Sequence, residues 1–130
     1  MKAIQKTIFY HDTDAGGVVY YANYLKYMEE ARTAYFSDKG ISIKDLHHDG
    51  FMYAVRQCHL TYKKPARYGD VILCSANITK MSAAQLFFDQ LITLKETGEI
   101  LVEGEVILVS LDKNFKATSI PEHIRTMLSK

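Results

Sequence analysis

The feature that most constrains the fold is one long helical pattern near the start of the chain. Between Asn23 and about Lys39, aromatic and apolar residues recur at steps of three and four, the spacing of one helix face. The residues on this face are Tyr24, Tyr27, Met28, Ala31 and Tyr35. Asn23 is a suitable N-cap, and Gly40 follows as a C-terminal glycine should. The pattern predicts a helix over 23–39.

The rest of the chain favours strands. The first strand is predicted over 2–9, and the later ones over 51–63, 70–80, 84–95 and 99–111. Pro121 is placed to start a short closing helix over 121–129. One strand, one long helix and four closely spaced strands predict an α+β fold, in which an antiparallel five-stranded sheet packs on a single helix. At 130 residues the chain fits one domain, 1–130.

Residues 99–111 carry apolar side chains on both faces of the predicted strand. One face holds Ile100, Val102, Val106 and Leu108, and the other holds Leu101, Ile107, Val109 and Leu111. A sheet with one solvated face would alternate between apolar and polar residues. Because one long helix covers one face only, we expect a second copy of the chain to cover the other. The expected assembly is a homodimer or a homotetramer.

Charge and hydropathy argue against two classes of partner. Lys plus Arg is 16 and Asp plus Glu is 15, so the net charge is +1, without the basic excess of a nucleic-acid binder. The longest apolar runs, such as 106–109, are far shorter than the ~20 residues that span a bilayer. The N-terminal residues lack the apolar core of a secretory signal. We therefore expect a cytoplasmic protein with no nucleic-acid partner and no membrane insertion.

The candidate site is the polar loop that precedes the long helix. Two carboxylates, Asp12 and Asp14, are followed by Gly16 and Gly17, which allow a tight turn and close approach of a ligand. The first amides of a helix have no partner within it and can stabilise negative charge on an oxygen. A carboxylate opposite such amides suits acyl transfer. The same aspartates could be turn formers only. Two carboxylates are too few for a calcium loop, and no metal or cofactor is expected.

The run from Tyr10 to Arg32, which contains His11-Asp12-Thr13-Asp14-Ala15-Gly16-Gly17, resembles the signature of the 4-hydroxybenzoyl-CoA thioesterase family. Within that family it is most similar to the bacterial acyl-CoA thioesterases encoded beside the Tol–Pal envelope system. Pro65-Ala66-Arg67-Tyr68-Gly69-Asp70 resembles the family's entry into the third strand. The resemblance implies the hot-dog fold, with the sheet wrapped around the long helix.

The resemblance also implies roles for individual residues. Asp14 matches the carboxylate that attacks a thioester carbonyl or activates water, and Tyr21 matches the position whose backbone amide polarises that carbonyl. Asp12 and Asn23 match positions that hold loop and helix together. The residues expected to contact substrate are Gly16, Gly17, Val18, Tyr24, Lys64 and Arg67. The implied substrate is a thioester of coenzyme A or of acyl carrier protein.

Two departures from the family pattern bear on these expectations. Many close relatives have histidine where this chain has Tyr21, and the basic run that holds CoA phosphates in some members is absent after Lys80. Glu29 and Arg32 are expected to pair on the helix surface.

Two alternative functions stay open: a hot-dog hydratase or dehydratase, and a non-catalytic acyl-CoA-binding, carrier-protein-binding or envelope-associated scaffold.

Overall fold

A five-stranded antiparallel sheet curls around one long helix in the computed structural model, which describes residues 3–48 and 52–130. The strands are β1 (Ala3–Thr7), β2 (Met52–Tyr62), β3 (Val71–Met81), β4 (Gln85–Leu94) and β5 (Ile100–Leu111), and the helices are α1 (Asn23–Asp38), α2 (Ile43–His48) and α3 (Glu122–Leu128). The strand order is β1-β3-β4-β5-β2. The predicted hot-dog arrangement is confirmed.

Helix α1 buries the face that its apolar spacing predicted. Tyr24, Tyr27, Met28 and Ala31 are each at most 3% exposed. The helix ends in a Schellman motif, in which the N–H of Gly40 bonds to the carbonyl of Ser37. Gly40 has φ +81°, a conformation that glycine adopts without strain. The predicted C-terminal glycine is therefore confirmed.

Two predictions about α1 are wrong. Ala22, rather than Asn23, occupies the N-cap position, and the Asn23 amide donates to the carbonyl of Asp12 instead of accepting from the first turn. Arg32 does not lie on the helix surface beside Glu29. It is 8% exposed, and its guanidinium donates a 3.0 Å hydrogen bond to Gln90 of β4. Both side chains form tertiary contacts that local spacing does not encode.

The sequence pattern missed α2 and a 3₁₀ turn at Tyr10–Asp12, and it displaced other elements slightly. Helix α2 lies where only a polar stretch was expected, and its Leu46 is buried. The predicted strand start at residue 51 lies outside the described residues. Pro121 is the N-cap of α3 and precedes the first turn. No helix in the described ranges has the length and apolar character needed to cross a membrane.

The two faces of β5 differ in burial. The inner face, with Val102, Val106 and Leu108, is buried against the core. On the outer face Ile107 and Val109 are half-buried within the single chain. Leu101 and Leu111, which the sequence assigned to the outer face, are 2% and 7% exposed and need no further cover.

Candidate active site

The loop before α1 folds back on itself as a short hairpin. The N–H of Asp14 bonds to the carbonyl of Val18 at 2.9 Å, and the N–H of Tyr20 bonds to the carbonyl of Asp12 at 3.0 Å. At the tip, the N–H of Gly17 bonds to the carbonyl of Asp14 at 3.0 Å, and Gly17 has φ +80°. An L-residue rarely adopts that conformation, so glycine is required for the turn. The hairpin joins Asp14 to the start of α1 over a few residues.

The Asp14 carboxylate is exposed, and its orientation is held by the loop. Its Oδ1 accepts a 2.8 Å hydrogen bond from the N–H of Gly16, which is the bond of an Asx turn. A Cβ added at Gly16 would lie 3.1 Å from the same Oδ1, so the absence of a side chain there lets the carboxylate approach closely. Within the described chain the carboxylate accepts no other hydrogen bond, which leaves Oδ2 free to meet a ligand.

Asp12 connects the loop to the helix. It is 7% exposed, and its carboxylate accepts from the hydroxyl of Tyr27 and from the N–H of Phe9, both at 2.8 Å. Its carbonyl accepts from the Asn23 amide at 2.9 Å. Burial and the neighbouring Asp12 carboxylate raise the pKa of Tyr27, so its hydroxyl stays a donor at neutral pH. The placement of Asp12 and Asn23 agrees with the holding role that the motif implies.

Tyr21 lies between the hairpin and the first turn of α1. Its side chain is 62% exposed, and its carbonyl accepts a long, 3.4 Å hydrogen bond from the hydroxyl of Tyr62. The N–H of Asn23 is occupied by the carbonyl of Tyr20 at 2.8 Å. The N–H of Tyr21 has no acceptor in the described part of the chain. It is therefore a backbone donor available to an oxygen beside the loop.

Of the other predicted substrate contacts, two lie at the loop. Val18 is half-buried and forms an isolated antiparallel bridge with Arg67, which brings Arg67 next to the hairpin. Tyr24 lies in the core at 3% exposure, where its hydroxyl accepts from the N–H of Ala66 at 3.0 Å. Lys64 forms an ion pair with Glu99. Tyr24 and Lys64 thus have protein partners, whereas Arg67 is exposed.

Two groups of aromatic side chains lie at the loop, and the sequence pattern did not predict their contacts. Tyr62 of β2 lies 6.2 Å from Tyr21 and 5.8 Å from Tyr24, ring centroid to centroid. Exposed Tyr10, which precedes the hairpin, and Tyr68 have ring centroids 6.0 Å apart. Tyr62, at the end of β2, and Tyr68, just before β3, are distant from the loop in sequence. The fold brings both of them next to it. The segment from Tyr10 to Tyr24 therefore carries aromatic contacts as well as carboxylates.

Comparison with known proteins agrees with this geometry. The chain is 36% identical over 118 residues to the acyl-CoA thioester hydrolase YbgC of Escherichia coli O6:H1, covering 90% of this chain and 87% of that protein. A structure of a hypothetical protein, TT1821, from Thermus thermophilus superposes with a TM-score of 0.93 at 27% identity, over 99% of this chain and 98% of that one. A thioesterase from Thermus thermophilus, complexed with coenzyme A and Zn, superposes with a TM-score of 0.82 at 27% identity, over 97% and 90% of the two chains.

The family assignment follows from the whole length of the chain. The sequence model of the thioesterase-like superfamily matches residues 10–128. That range includes the hairpin, α1 and the four strands that follow it. This confirms the family indicated by the motif around Asp14. The chain belongs to the thioesterase-like superfamily.

Proposed function

We propose that this protein hydrolyses acyl-CoA thioesters, with Asp14 as its catalytic carboxylate. The observation that carries the proposal is an exposed, oriented carboxylate on the hairpin together with a free backbone donor at Tyr21, where the hairpin meets α1. Acyl transfer needs a nucleophile or base on one side of a carbonyl and a hydrogen-bond donor for its oxygen. The relatives named as acyl-CoA thioester hydrolases support coenzyme A as the carrier.

In the proposed reaction the thioester carbonyl oxygen accepts from the Tyr21 N–H. Asp14 then either attacks the carbonyl carbon or removes a proton from an attacking water. The acyl carbon–sulfur bond breaks, and the coenzyme A thiolate takes up a proton. In the first route, water releases the acyl group from an Asp14 anhydride. Both routes consume one water and yield a carboxylic acid and free coenzyme A.

The positions of the histidines favour a thioesterase over a hydratase. A hot-dog hydratase would pair its aspartate with a histidine at the loop-to-helix junction. In this chain Tyr20 and Tyr21 occupy the junction, and the histidine in the loop is His11. Its Nε2 lies 3.8 Å from the Oδ2 of Asp12, so it faces the buried aspartate. A scaffold, in turn, would have no requirement for a carboxylate held by Gly16.

We also propose that the working unit contains two copies of the chain. Strand β2 is an edge strand of 11 residues, and such an edge is a template for pairing. Two of its apolar side chains are exposed, Val55 at 51% and Tyr62 at 47%. Pairing of β2 with a second copy would cover this edge next to Tyr21. Sedimentation as a monomer at micromolar concentration would contradict this proposal.

The primary test is thiol release from a panel of acyl-CoA substrates by the Asp14→Asn variant. The Asn side chain keeps an oxygen that can accept from the Gly16 N–H, so the loop is expected to remain folded. We expect turnover to fall at least about a hundredfold, the scale of a lost base or nucleophile. Unchanged turnover in the folded variant would refute the role of Asp14.

Asp112→Asn is a matched control. Asp112 makes the same kind of turn, since its Oδ1 accepts from the N–H of Asn114 at 2.8 Å. It follows the end of β5 that is remote from Tyr62. We expect Asp112→Asn to retain full turnover. Single turnover in ¹⁸O-water then tests the nucleophilic route, because water that attacks Cγ of the anhydride leaves an Asp14 oxygen in the product and ¹⁸O in Asp14, which the general-base route cannot do.

A further inference from the structure

The free N–H of Tyr21 belongs to a four-residue turn over 20–23. The turn is closed by the N–H of Asn23, which donates to the carbonyl of Tyr20 at 2.8 Å. Its third residue, Ala22, has φ −71° and ψ −19°, close to the values of a type I turn. The carbonyl of Tyr20 and the N–H of Tyr21 belong to one planar trans peptide and point in opposite directions. The bond from Asn23 therefore fixes the direction of the Tyr21 N–H.

Both ends of this turn are hydrogen-bonded to one atom, the carbonyl oxygen of Asp12. The N–H of Tyr20, at the first position, donates to that oxygen at 3.0 Å. The side-chain amide of Asn23, at the fourth position, donates to it at 2.9 Å. A carbonyl oxygen has two lone pairs, so the two donors use its full capacity. The donor at Tyr21 thus lies between two bonds that meet at Asp12.

Asp12 is itself fixed, and it lies close in the chain to Asp14. Its carboxylate accepts from the hydroxyl of Tyr27 and from the N–H of Phe9, both at 2.8 Å. Asp14 follows two residues later, and two residues of chain span at most about 7 Å. The Asp14 carboxylate is oriented in turn by the N–H of Gly16. The carbonyl of Asp12 therefore links the segment that carries the carboxylate to the turn that carries the donor.

The side chain of Asn23 makes the one bond to the Asp12 carbonyl that a substitution can remove while the backbone bonds remain. Asn23 is half-buried, and it is not the N-cap of α1, a position that Ala22 occupies. Its amide is a donor to the loop and not an acceptor from the first turn of the helix. The contact therefore acts on the loop that carries Asp14.

We propose that Asn23 is a positioning residue, which sets the separation between the Asp14 carboxylate and the Tyr21 N–H through its bond to the carbonyl of Asp12. The inference rests on the proposed thioester hydrolysis and adds a residue that acts through Asp12. A nucleophile or base and an oxyanion donor act together only when both reach the same carbonyl group. A misplacement of about 1 Å can lower the rate about a hundredfold. Because Asn23 acts on the geometry of the transition state, its loss lowers kcat and leaves KM unchanged.

The first test is the Asn23→Ala variant with an acyl-CoA substrate. It keeps the backbone N–H that bonds to Tyr20 and places a good helix former in the first turn of α1, so we expect it to fold. We expect kcat to fall at least about tenfold, with KM within about twofold of the wild-type value. An unchanged kcat would overturn the positioning role and leave Asp14 as the catalytic carboxylate.

Thr126→Val is the matched control. It also removes one side-chain hydrogen bond to a backbone carbonyl, from Thr126 to Glu122 at 3.0 Å. Helix α3, which contains both residues, makes no hydrogen bond to the loop over 10–22 in the described chain. We expect Thr126→Val to keep the wild-type kcat. An equal fall in the two variants would assign the effect to a general loss of stability and overturn the proposal.

The double variant of Asn23→Ala with Asp14→Asn separates a positioning role from a structural one. A residue that acts by placing Asp14 has less to contribute once the carboxylate is absent, so the two losses should not be additive. We expect Asn23→Ala to lower the remaining kcat of Asp14→Asn by less than about threefold. A structural defect lowers kcat by the same factor in both backgrounds, and that result would overturn the proposal.

Asn23→Asp is a second test that does not depend on the stability of Asn23→Ala. Its side chain has the same shape, and a carboxylate is favourable in the first turn of a helix, so α1 is expected to form. It cannot donate to the carbonyl of Asp12. We expect kcat to fall at least about tenfold at low and at high salt, since salt screens the added charge but does not restore the lost bond. Wild-type kcat in Asn23→Asp would overturn the positioning role. Absence of turnover by the wild-type protein on every acyl-CoA would overturn both proposals together.

Discussion

The hydroxyl of Tyr27 donates a 2.8 Å hydrogen bond to the buried Oδ1 of Asp12, which ties the centre of α1 to the loop that carries Asp14. Tyr27 is 2% exposed, and Lys6 lies over its ring at 5.2 Å from the centroid. The second carboxylate oxygen of Asp12 accepts from the N–H of Phe9. The loop is therefore held from both sides by one buried carboxylate.

Tyr27→Phe is expected to destabilise the protein by about 2 kcal/mol. The change leaves a buried carboxylate short of a donor, and hydrogen bonds to charged groups contribute about 1.5–3 kcal/mol. The free energy of unfolding, measured with urea, checks this value. Tyr35→Phe is the matched control, because Tyr35 lies on the same helix and its hydroxyl donates to no residue of the described chain. Equal losses in the two variants would contradict the importance of the Asp12 bond.

Gly17→Ala is expected to reduce both stability and turnover. Gly17 has φ +80°, and an L-residue in that region costs about 1–2 kcal/mol. Relief of this strain would shift the turn and with it the Asp14 carboxylate. Gly98→Ala introduces the same strain at φ +77° in the β4–β5 hairpin, which makes no hydrogen bond to the loop in the described chain. We expect the two variants to lose similar amounts of unfolding free energy, and only Gly17→Ala to lose turnover. Equal turnover in both variants would exclude a positioning role for the turn.

The sequence predicted the elements that depend on local periodicity. Helix α1 was found because its buried residues recur at three- and four-residue steps, and its end was found because Gly40 must adopt a positive φ. Helix α2 was missed, since its six residues are stabilised by burial of Leu46 rather than by a strong local pattern. Local sequence patterns thus predicted α1 and its C-terminal end, but not α2.

The site was predictable only in part. Asp14 and Tyr21 were named through a family motif, whereas the generic loop pattern alone favoured a turn former. Arg32 was misplaced because it is charged, although it lies four residues after Met28 on the buried face. The bond from the Asn23 amide to the carbonyl of Asp12 had no signal in local spacing, since it depends on how the loop folds back onto the start of α1.

Gly104→Ala is expected to destabilise the core by about 1–3 kcal/mol through overpacking. Gly104 lies on β5, and a Cβ built there would be 2.8 Å from Cε and 2.9 Å from Sδ of Met28. Met28 is fully buried, so its side chain has little room to move aside. Met28→Leu shortens that side chain and should recover part of the loss. Urea unfolding of the two single variants and the double variant measures the coupling, and strictly additive losses would show that the two residues do not oppose each other.

Cys74 is expected to make stability fall at high pH. Burial, chiefly, raises the pKa of its thiol from 9.0 to about 12, with Glu30 acting in the same direction and Lys6 against it. Above pH 9 the unfolded thiol loses its proton while the folded one retains it, so the unfolded state is favoured as pH rises toward 12. One such group contributes a slope of up to ~1.4 kcal/mol per pH unit.

The Cys74→Ala variant tests this contribution directly. It should start from a lower stability at neutral pH, because it leaves a small cavity in β3, and then lose less stability than the wild type between pH 9 and 12. Ile72→Val in the same strand also removes buried volume but no titrating group, so its curve should run parallel to that of the wild type. If Cys74→Ala also ran parallel, the buried thiol would not be the source of the slope, and the alkaline loss would have to come from the buried tyrosines.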